Sequence, residues 1–186
     1  ITSKVLVPKT DKPLPIYFRE SEMVAFKELN KIPTYEEEMD KVEWLEAMRD
    51  YLVVELLYQT GVRRAELAAL EDKDIDLVGR QIRVFGKRRK ERFVPIGEKL
   101  VKEIEGYMKI KQDLLQGEEC FGIFLVRKKK SGEWVTLGAG GIYNIVRARM
   151  SEVSTLKKHS PHVLRHTFAT TMLNNGADIR TIQTLL

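Results

Sequence analysis

Along this chain, hydrophobic residues recur at helical spacing in long segments and alternate with polar residues in only a few short ones. A repeat of three to four residues is typical of an amphipathic helix that buries one face. Residues 42–59 show the repeat most clearly, and Gly61 follows at the place where a glycine C-cap would end the helix. The apolar stripe of this predicted helix consists of Trp44, Leu45, Met48, Leu52, Leu56 and Leu57.

The same spacing predicts further helices on both sides of this segment. Met23, Phe26 and Leu29 mark a helix within residues 19–30. The remaining predicted helices cover residues 64–70, 98–115, 140–152, 161–174 and 178–186. The last two are separated by Asn174-Asn175-Gly176, a combination that ends helices.

Two segments rich in β-branched and aromatic residues, 81–85 and 91–95, flank a basic turn. This arrangement predicts an antiparallel hairpin. Residues 123–126 form a further short strand candidate, and residues 71–76 are predicted to be a polar turn. The predicted fold class is therefore α+β, mostly α-helical with a small antiparallel β-hairpin sheet.

The ends of the chain indicate that it is part of a longer protein. Residues 1–15 carry three prolines among lysines, which is typical of an extended linker arriving from an upstream domain. The first residue is Ile1 rather than Met, and the last residues lie inside an apolar helical pattern. We therefore predict a linker over residues 1–15 and one domain over residues 16–186, interrupted before its C-terminal segment.

Composition is that of an ordinary globular protein, with 43% hydrophobic and 32% charged residues. The net charge of +5 favours a polyanion partner only weakly, since a lysine-rich surface explains it equally well. The single cysteine, Cys120, excludes an intramolecular disulfide and makes a reducing cytoplasm the expected location. No apolar segment approaches the roughly 18 residues that a membrane helix needs.

The segment Thr60-Gly61-Val62-Arg63-Arg64-Ala65-Glu66-Leu67 is the first candidate for chemistry. An arginine at the start of a helix, just after a glycine turn, can direct its guanidinium away from the packed body, where backbone N–H groups already favour an anion. Glu66 lies three residues after Arg63 and can hold it in place. The alternative is an ordinary surface Arg–Glu pair.

The predicted hairpin turn is the second candidate, because five cations occupy residues 87–92. Such a turn can reach into a DNA groove or onto phosphates, although charged hairpin tips also serve solubility alone. Two further basic segments, residues 127–130 and 157–158, make the polyanion interpretation the better one. The cations of the turn are Lys87, Arg88, Arg89, Lys90 and Arg92.

The third candidate contains all the histidines of the chain. His162 and Arg165 are three residues apart in a predicted helix, so an imidazole and a planar cation share one face. This pair suits binding and protonation of a phosphate. His166 is equally explained as a core-facing imidazole bonded to backbone. A zinc site with His159 and Cys120 is disfavoured, because Pro161 divides the set and Arg165 would bring a cation to the metal.

Taken together in this order, the three segments resemble those of the tyrosine recombinases, also called tyrosine-type or phage-type integrases. The resemblance extends from about residue 14 to the end of the chain and is nearest to bacterial Xer-like recombinases. Residues 60–67 are similar to the family's first arginine segment, residues 86–92 to its β-hairpin lysine segment, and residues 161–170 to its His-x-x-Arg segment.

The resemblance implies the fold of a tyrosine recombinase catalytic domain, a DNA breaking-rejoining enzyme fold, and a role for each of these side chains. Arg63 and Arg165 would bind the non-bridging oxygens of the scissile phosphate, Lys87 would protonate the departing 5′-oxygen, and His162 would transfer protons. Glu66 would not contact the phosphate itself but would orient the residues that do. No metal or nucleotide cofactor is implied. The expected DNA-contacting residues of the turn are Arg88, Arg89, Lys90 and Arg92.

The resemblance also implies an activity, namely cutting and rejoining of DNA strands through a 3′-phosphotyrosine, in DNA integration or chromosome dimer resolution. The partner would be a double-stranded recombination site, bound by a homo- or hetero-tetramer that exchanges C-terminal segments. The alternatives are a type IB topoisomerase, which uses a similar residue set, and a non-catalytic DNA-binding accessory protein.

In the family, Gly-His and then a nucleophilic tyrosine follow the Leu-Leu pair at which this chain stops. None of the six tyrosines present has that context, so the chain itself is expected to bind DNA weakly and cleave nothing. These tyrosines are Tyr17, Tyr35, Tyr51, Tyr58, Tyr107 and Tyr143.

Overall fold

The computed structural model describes residues 17–34, 40–86, 90–152 and 159–186. The predicted linker, the turn residues Lys87, Arg88 and Arg89, and the basic pair Lys157 and Lys158 lie outside these ranges. Within them, a long central helix and the helices around it form the body, and short antiparallel strands flank it.

The central helix, α2, spans Lys41–Thr60 and confirms the prediction for residues 42–59. It begins at Asp40, whose side chain accepts a hydrogen bond from the backbone N–H of Val42 at 2.9 Å. It ends at Gly61, which has the left-handed conformation expected of a glycine C-cap. Most of its apolar residues are fully buried, so α2 is the centre of the hydrophobic core.

The other helices agree with the predicted ones to within a few residues. Helices α4, α5 and α6 pack directly against α2, and α3 packs against α5. The described helices besides α2 are α1 (Glu20–Leu29), α3 (Arg64–Ala68), α4 (Glu98–Leu115), α5 (Ala139–Ser151), α6 (Pro161–Asn174) and α7 (Ile179–Leu185). None of the helices in the described part of the chain is both long and apolar enough to cross a membrane.

The predicted hairpin is confirmed as strands β2 (Gln81–Phe85) and β3 (Glu91–Pro95), paired antiparallel with Ile82 opposite Val94. The prediction of a single small sheet is wrong. A short strand, β1 (Ile75–Asp76), pairs with β2 inside the segment predicted as a polar turn. Strands β4 (Leu125–Arg127) and β5 (Trp134–Thr136) form a second sheet. Strands of two or three residues are too short to show an alternating pattern, so the sequence did not reveal β1 and β5.

Polar contacts join distant parts of the chain beneath the surface. The hydroxyl of Thr167 in α6 accepts a hydrogen bond from the backbone N–H of Phe18 at 3.0 Å and donates one to the carbonyl of Val163 at 2.8 Å. Both Phe18 and Thr167 are buried. These bonds connect the first described residues to the helix that carries His162 and Arg165, and so fix that helix on the core.

Candidate active site

Arg63 is placed by the turn between α2 and α3. Gly61 has φ +62, and a Cβ atom at this position would lie 2.4 Å from Cδ1 of Phe168 in α6. Only glycine fits both this backbone conformation and this close approach. Val62 is completely buried and anchors the turn. Arg63 follows as the N-cap residue of α3 and keeps a side chain that is 51% exposed.

Glu66 lies beneath Arg63 with a side chain that is only 5% exposed. Its Oε2 accepts a hydrogen bond from the backbone N–H of Arg63 at 2.8 Å, and its Oε1 accepts one from Nη1 of Arg63, also at 2.8 Å. The first bond satisfies an N–H group that the start of a helix leaves without an intrahelical partner. The second holds the guanidinium in one orientation. The predicted contact between Arg63 and Glu66 is therefore present.

Glu66 has a second partner, Arg92 on β3. Nη1 and Nη2 of Arg92 donate to Oε1 and Oε2 of Glu66 at 3.0 and 2.8 Å. Burial by itself would raise the pKa of the Glu66 carboxyl, but hydrogen bonds from Arg92 and then Arg63 outweigh burial and lower the pKa to about 2. Glu66 is thus an anion throughout the physiological pH range.

Arg92 does not lie at an exposed hairpin tip, as the sequence analysis expected, but on the strand β3 with a largely buried side chain. Its side chain is 16% exposed, and its Nε donates to the carbonyl of Leu185 in α7 at 3.0 Å. Arg92 stands two residues before the buried Val94 and opposite the buried Val84, so strand alternation turns it inward. The alternation of apolar and polar residues along β3 is the sequence feature that indicates this inward position of Arg92. A contact between Arg92 and DNA remains a prediction. Lys90, the other described cation of the turn, is exposed.

Arg165 approaches the same turn from α6. Its Nη1 donates to the carbonyl of Gly61 and its Nη2 to the carbonyl of Leu186. Partial burial lowers the pKa of Arg165 to about 10, and the charge of Arg63 contributes in the same direction while Glu66 opposes it. The guanidinium is still protonated at neutral pH. The structure therefore brings Arg63, Glu66 and Arg165 together, with an excess of positive charge.

The histidines of α6 lie on its exposed side. His162 follows Pro161 in the first turn and is exposed, and so is His166. The alternative that His166 faces the core is wrong, because Thr167 occupies the buried position next to it. The pKa of His166 is lowered, mainly by partial burial of its ring and then by electrostatic repulsion from His162 and Arg165. A low pKa keeps this imidazole neutral at physiological pH.

Lys87 lies outside the described residues, and its role stays a prediction. Its neighbour Gly86 donates a backbone hydrogen bond to the carbonyl of Lys90 at 2.7 Å, which closes the base of the turn. A Cβ atom at Gly86 would be 3.7 Å from Oε1 of Glu66. The turn therefore begins beside Glu66, at the edge of the arginine cluster.

Two of the described tyrosines are committed to the core. The hydroxyl of Tyr51 donates to Oε2 of Glu103 at 3.0 Å, and that of Tyr107 accepts from the backbone N–H of Leu125 at 3.3 Å. Burial raises the pKa of both phenols far above the usual value, and neither hydroxyl is exposed to meet a phosphate at the surface of this fold. Among the residues that the structure describes, no group of three His, Cys, Asp or Glu side chains is arranged to hold a metal ion.

Comparison with known proteins identifies the group to which these segments belong. The sequence profile of the phage integrase family matches residues 23–186. The chain belongs to the phage integrase family. It is 39% identical over 179 residues to tyrosine recombinase XerC of Staphylococcus aureus (strain bovine RF122 / ET3-1), covering 96% of this chain and 55% of that protein. The chain thus spans about half the length of the curated relatives it matches.

Solved structures of integrase-family proteins have the same fold. The crystal structure of XerA recombinase superposes with a TM-score of 0.71 at 31% identity, covering 97% of this chain and 57% of the other. The XerH site-specific recombinase bound to palindromic difH substrate superposes with a TM-score of 0.72 at 22% identity, covering 94% and 46%. The predicted fold, that of a tyrosine recombinase catalytic domain, is confirmed by these likenesses.

Proposed function

We propose that this chain is the catalytic domain of a site-specific DNA recombinase that cuts and rejoins strands through a 3′-phosphotyrosine. The observation that carries the proposal is the convergence of Arg63 and Arg165 on the Gly61 turn, with Glu66 fixed beneath them. Family membership with tyrosine recombinase relatives supports the same conclusion. The domain would be the one predicted for residues 16–186.

Two guanidinium groups suit the reaction because phosphoryl transfer places negative charge on the non-bridging oxygens of the phosphate. Planar guanidinium groups that are already oriented stabilise that charge without reorganising in the transition state. Arg63 is oriented by Glu66, and Arg165 by the carbonyl of Gly61. Positioning uses Nη1 of Arg63, and it uses both Nη1 and Nη2 of Arg165, which bond to the carbonyls of Gly61 and Leu186. Other donors of Arg63, half of whose side chain is exposed, are left for a phosphate.

Proton transfer completes the proposed chemistry. His162, exposed on α6 one turn before Arg165, would exchange protons with the attacking and leaving oxygens. Lys87, one residue after Gly86 at the edge of the cluster, would protonate the 5′-oxygen. We propose that the tyrosine nucleophile is supplied by the longer protein, since Tyr51 and Tyr107 are buried and none of the chain's tyrosines has the context of the family's nucleophile.

Double-stranded DNA is the proposed partner. The XerH relative was solved on a palindromic difH substrate, and the Tn1549 transposon integrase with transposon right end DNA. On this chain the exposed residues Lys90, Lys129 and Lys130 are suited to phosphate contacts. We further propose that the longer protein works in the cytoplasm, on chromosomal or mobile-element DNA, as a homo- or hetero-tetramer that exchanges C-terminal segments.

The decisive experiment is covalent trapping by the full-length protein on a nicked suicide substrate that carries its recombination site, in the presence of a chelator. We expect a protein–DNA adduct that survives denaturing electrophoresis and forms at the same rate with and without the chelator. Relaxation of supercoiled plasmids that lack the site would instead favour the type IB topoisomerase. Site-specific binding without any adduct would favour an accessory DNA-binding protein.

A further inference from the structure

The contacts of Arg92 are to protein groups, unlike those expected of an exposed turn residue that contacts DNA. All three of its hydrogen bonds are made within the domain, two to the carboxylate of Glu66 and one to the carbonyl of Leu185. Its side chain is about a third as exposed as that of Arg63. The guanidinium of Arg92 is thus committed to protein groups before any ligand arrives.

The pairing of Arg92 with Glu66 is bidentate, with two parallel N–H···O bonds. This geometry fixes the plane of the carboxylate as well as its position. Arg63 then bonds to the same Oε1 through its side chain and to Oε2 through its backbone. The orientation of Arg63 therefore depends on a carboxylate that Arg92 holds.

Arg92 also joins three elements that are distant in sequence. It projects from β3, binds the first turn of α3 through Glu66 and touches the end of α7 through Leu185. The hairpin to which it belongs closes at Gly86, beside Glu66. The residue thereby connects the hairpin of β2 and β3 to the turn that carries Arg63.

We propose that Arg92 is a positioning residue for Arg63, acting through Glu66 and making no contact with DNA. The inference rests on the proposed recombinase function. Arg92 would thus affect the reaction through the geometry of Arg63, the phosphate-binding arginine, and not through a phosphate contact of its own. Losing Arg92 would leave the buried carboxylate of Glu66 with half of its charge-assisted hydrogen bonds and free to rotate, so that Arg63 would no longer be held toward the phosphate.

The test uses three variants of the full-length protein: Arg92→Gln, Arg92→Lys and, as a matched control, Arg83→Gln. Arg83 lies on the neighbouring strand β2 and donates from Nε and Nη2 to the buried Asp74 at 3.1 and 2.8 Å. The control therefore removes another arginine of the same sheet that is hydrogen-bonded to a buried carboxylate. Three quantities are measured: the rate of adduct formation, the DNA affinity with its salt dependence, and the thermal unfolding midpoint.

We expect Arg92→Gln to slow adduct formation on the order of 100-fold, because small misplacements of a positioned group have effects of that size. DNA affinity should stay within about threefold, and the salt slope should not change, since no phosphate contact is lost. Arg92→Lys should recover only part of the rate, because one ammonium cannot bond both carboxylate oxygens in parallel. Arg83→Gln should lower the unfolding midpoint without a comparable loss of rate.

Combining variants identifies the route of the effect. In an Arg63→Ala background, Arg92→Gln should cause little further loss of rate, because the group that it positions is already absent. Losses that multiply in the double variant would overturn the proposal. So would a salt slope that falls by about one unit in Arg92→Gln, because that would indicate a lost phosphate contact.

A second measurement does not depend on activity. Carbon-13 NMR of the Glu66 carboxyl in this chain should show no titration down to roughly pH 3 in the parent, whereas in Arg92→Gln titration should begin within the folded range. An unchanged titration would overturn the proposal directly. A parent protein that forms no adduct would refute the recombinase function and the catalytic role of Arg92 with it, while the titration would still decide the pairing with Glu66.

Discussion

Arg165 in α6 donates a hydrogen bond to the carbonyl oxygen of Gly61, two residues before Arg63. Arg165 and Gly61 are 104 positions apart in the chain, and their contact joins the two arginine-bearing segments through the backbone of a turn. Arg165 thus contacts the turn from which Arg63 projects. In the proposed site it would also offer a cation to the phosphate.

The first prediction concerns Arg165 in the full-length protein. Arg165→Ala should lower the rate of adduct formation by a factor of a hundred or more, corresponding to about 3 kcal/mol of transition-state stabilisation. DNA affinity should fall much less, because many other phosphate contacts remain. The time course of the adduct on a denaturing gel measures the rate. A variant that traps DNA at the parent rate would contradict the assignment.

The second prediction concerns His162. His162→Ala should slow adduct formation by about 100-fold, the lower end of the usual effect of a general acid or base, because water can partly substitute. His166→Gln is the comparison, since His166 is exposed on the same helix, and it should form the adduct near the parent rate. Equal losses of rate in the two variants would show that His162 does not transfer protons.

The third prediction concerns Gly61. Gly61→Ala should destabilise this chain by about 1–3 kcal/mol or more, because alanine disfavours a positive φ and its Cβ would overlap Phe168. Gly117→Ala is the matched control, since Gly117 has φ +93 with open space around it and carries the conformational cost alone. Chemical denaturation measures both. Equal losses in the two variants would mean that the contact with Phe168 contributes nothing.

The fourth prediction concerns acid stability. The pKa of Glu66 is lowered to about 2 in the folded protein, below the usual value of an unfolded chain, so ionised Glu66 stabilises the fold above that usual value. This contribution should disappear as the pH falls through the pKa of the folded state. Glu66→Gln should therefore cost up to about 3 kcal/mol near neutral pH, with the difference from the parent shrinking below pH 4. Denaturation curves at several pH values test the trend, and a constant difference would contradict it.

The fifth prediction concerns DNA binding by this chain alone. Binding should be weak and dominated by phosphates, so that affinity falls steeply between low and moderate salt. Replacing both Lys129 and Lys130 by glutamine should reduce the slope of log affinity against log salt by about two units if each contacts one phosphate. Lys102, which pairs with Glu98 on α4, provides the control substitution. An affinity independent of salt would exclude the proposed mode of binding.

The features that the sequence revealed are those that depend on neighbouring residues. The helical repeat in residues 42–59, the glycine that ends it and the i,i+3 relation of Arg63 and Glu66 are local, and each is present in the structure. Local geometry decides them because residues three and four apart meet on one helix face whatever surrounds the helix. The three motif segments were found in the same way, since each is continuous in sequence.

The features that only the tertiary structure decided depend on groups that are distant in sequence. Whether His166 or Thr167 faces the core was settled by the packing of α6 against α2 and by the bond from Phe18 to Thr167. The charge of the turn favoured DNA for Arg92, but the buried carboxylate of Glu66, 26 positions away, takes up two of its hydrogen bonds. A buried carboxylate needs such partners, and which cation supplies them is determined by the fold rather than by spacing along the chain.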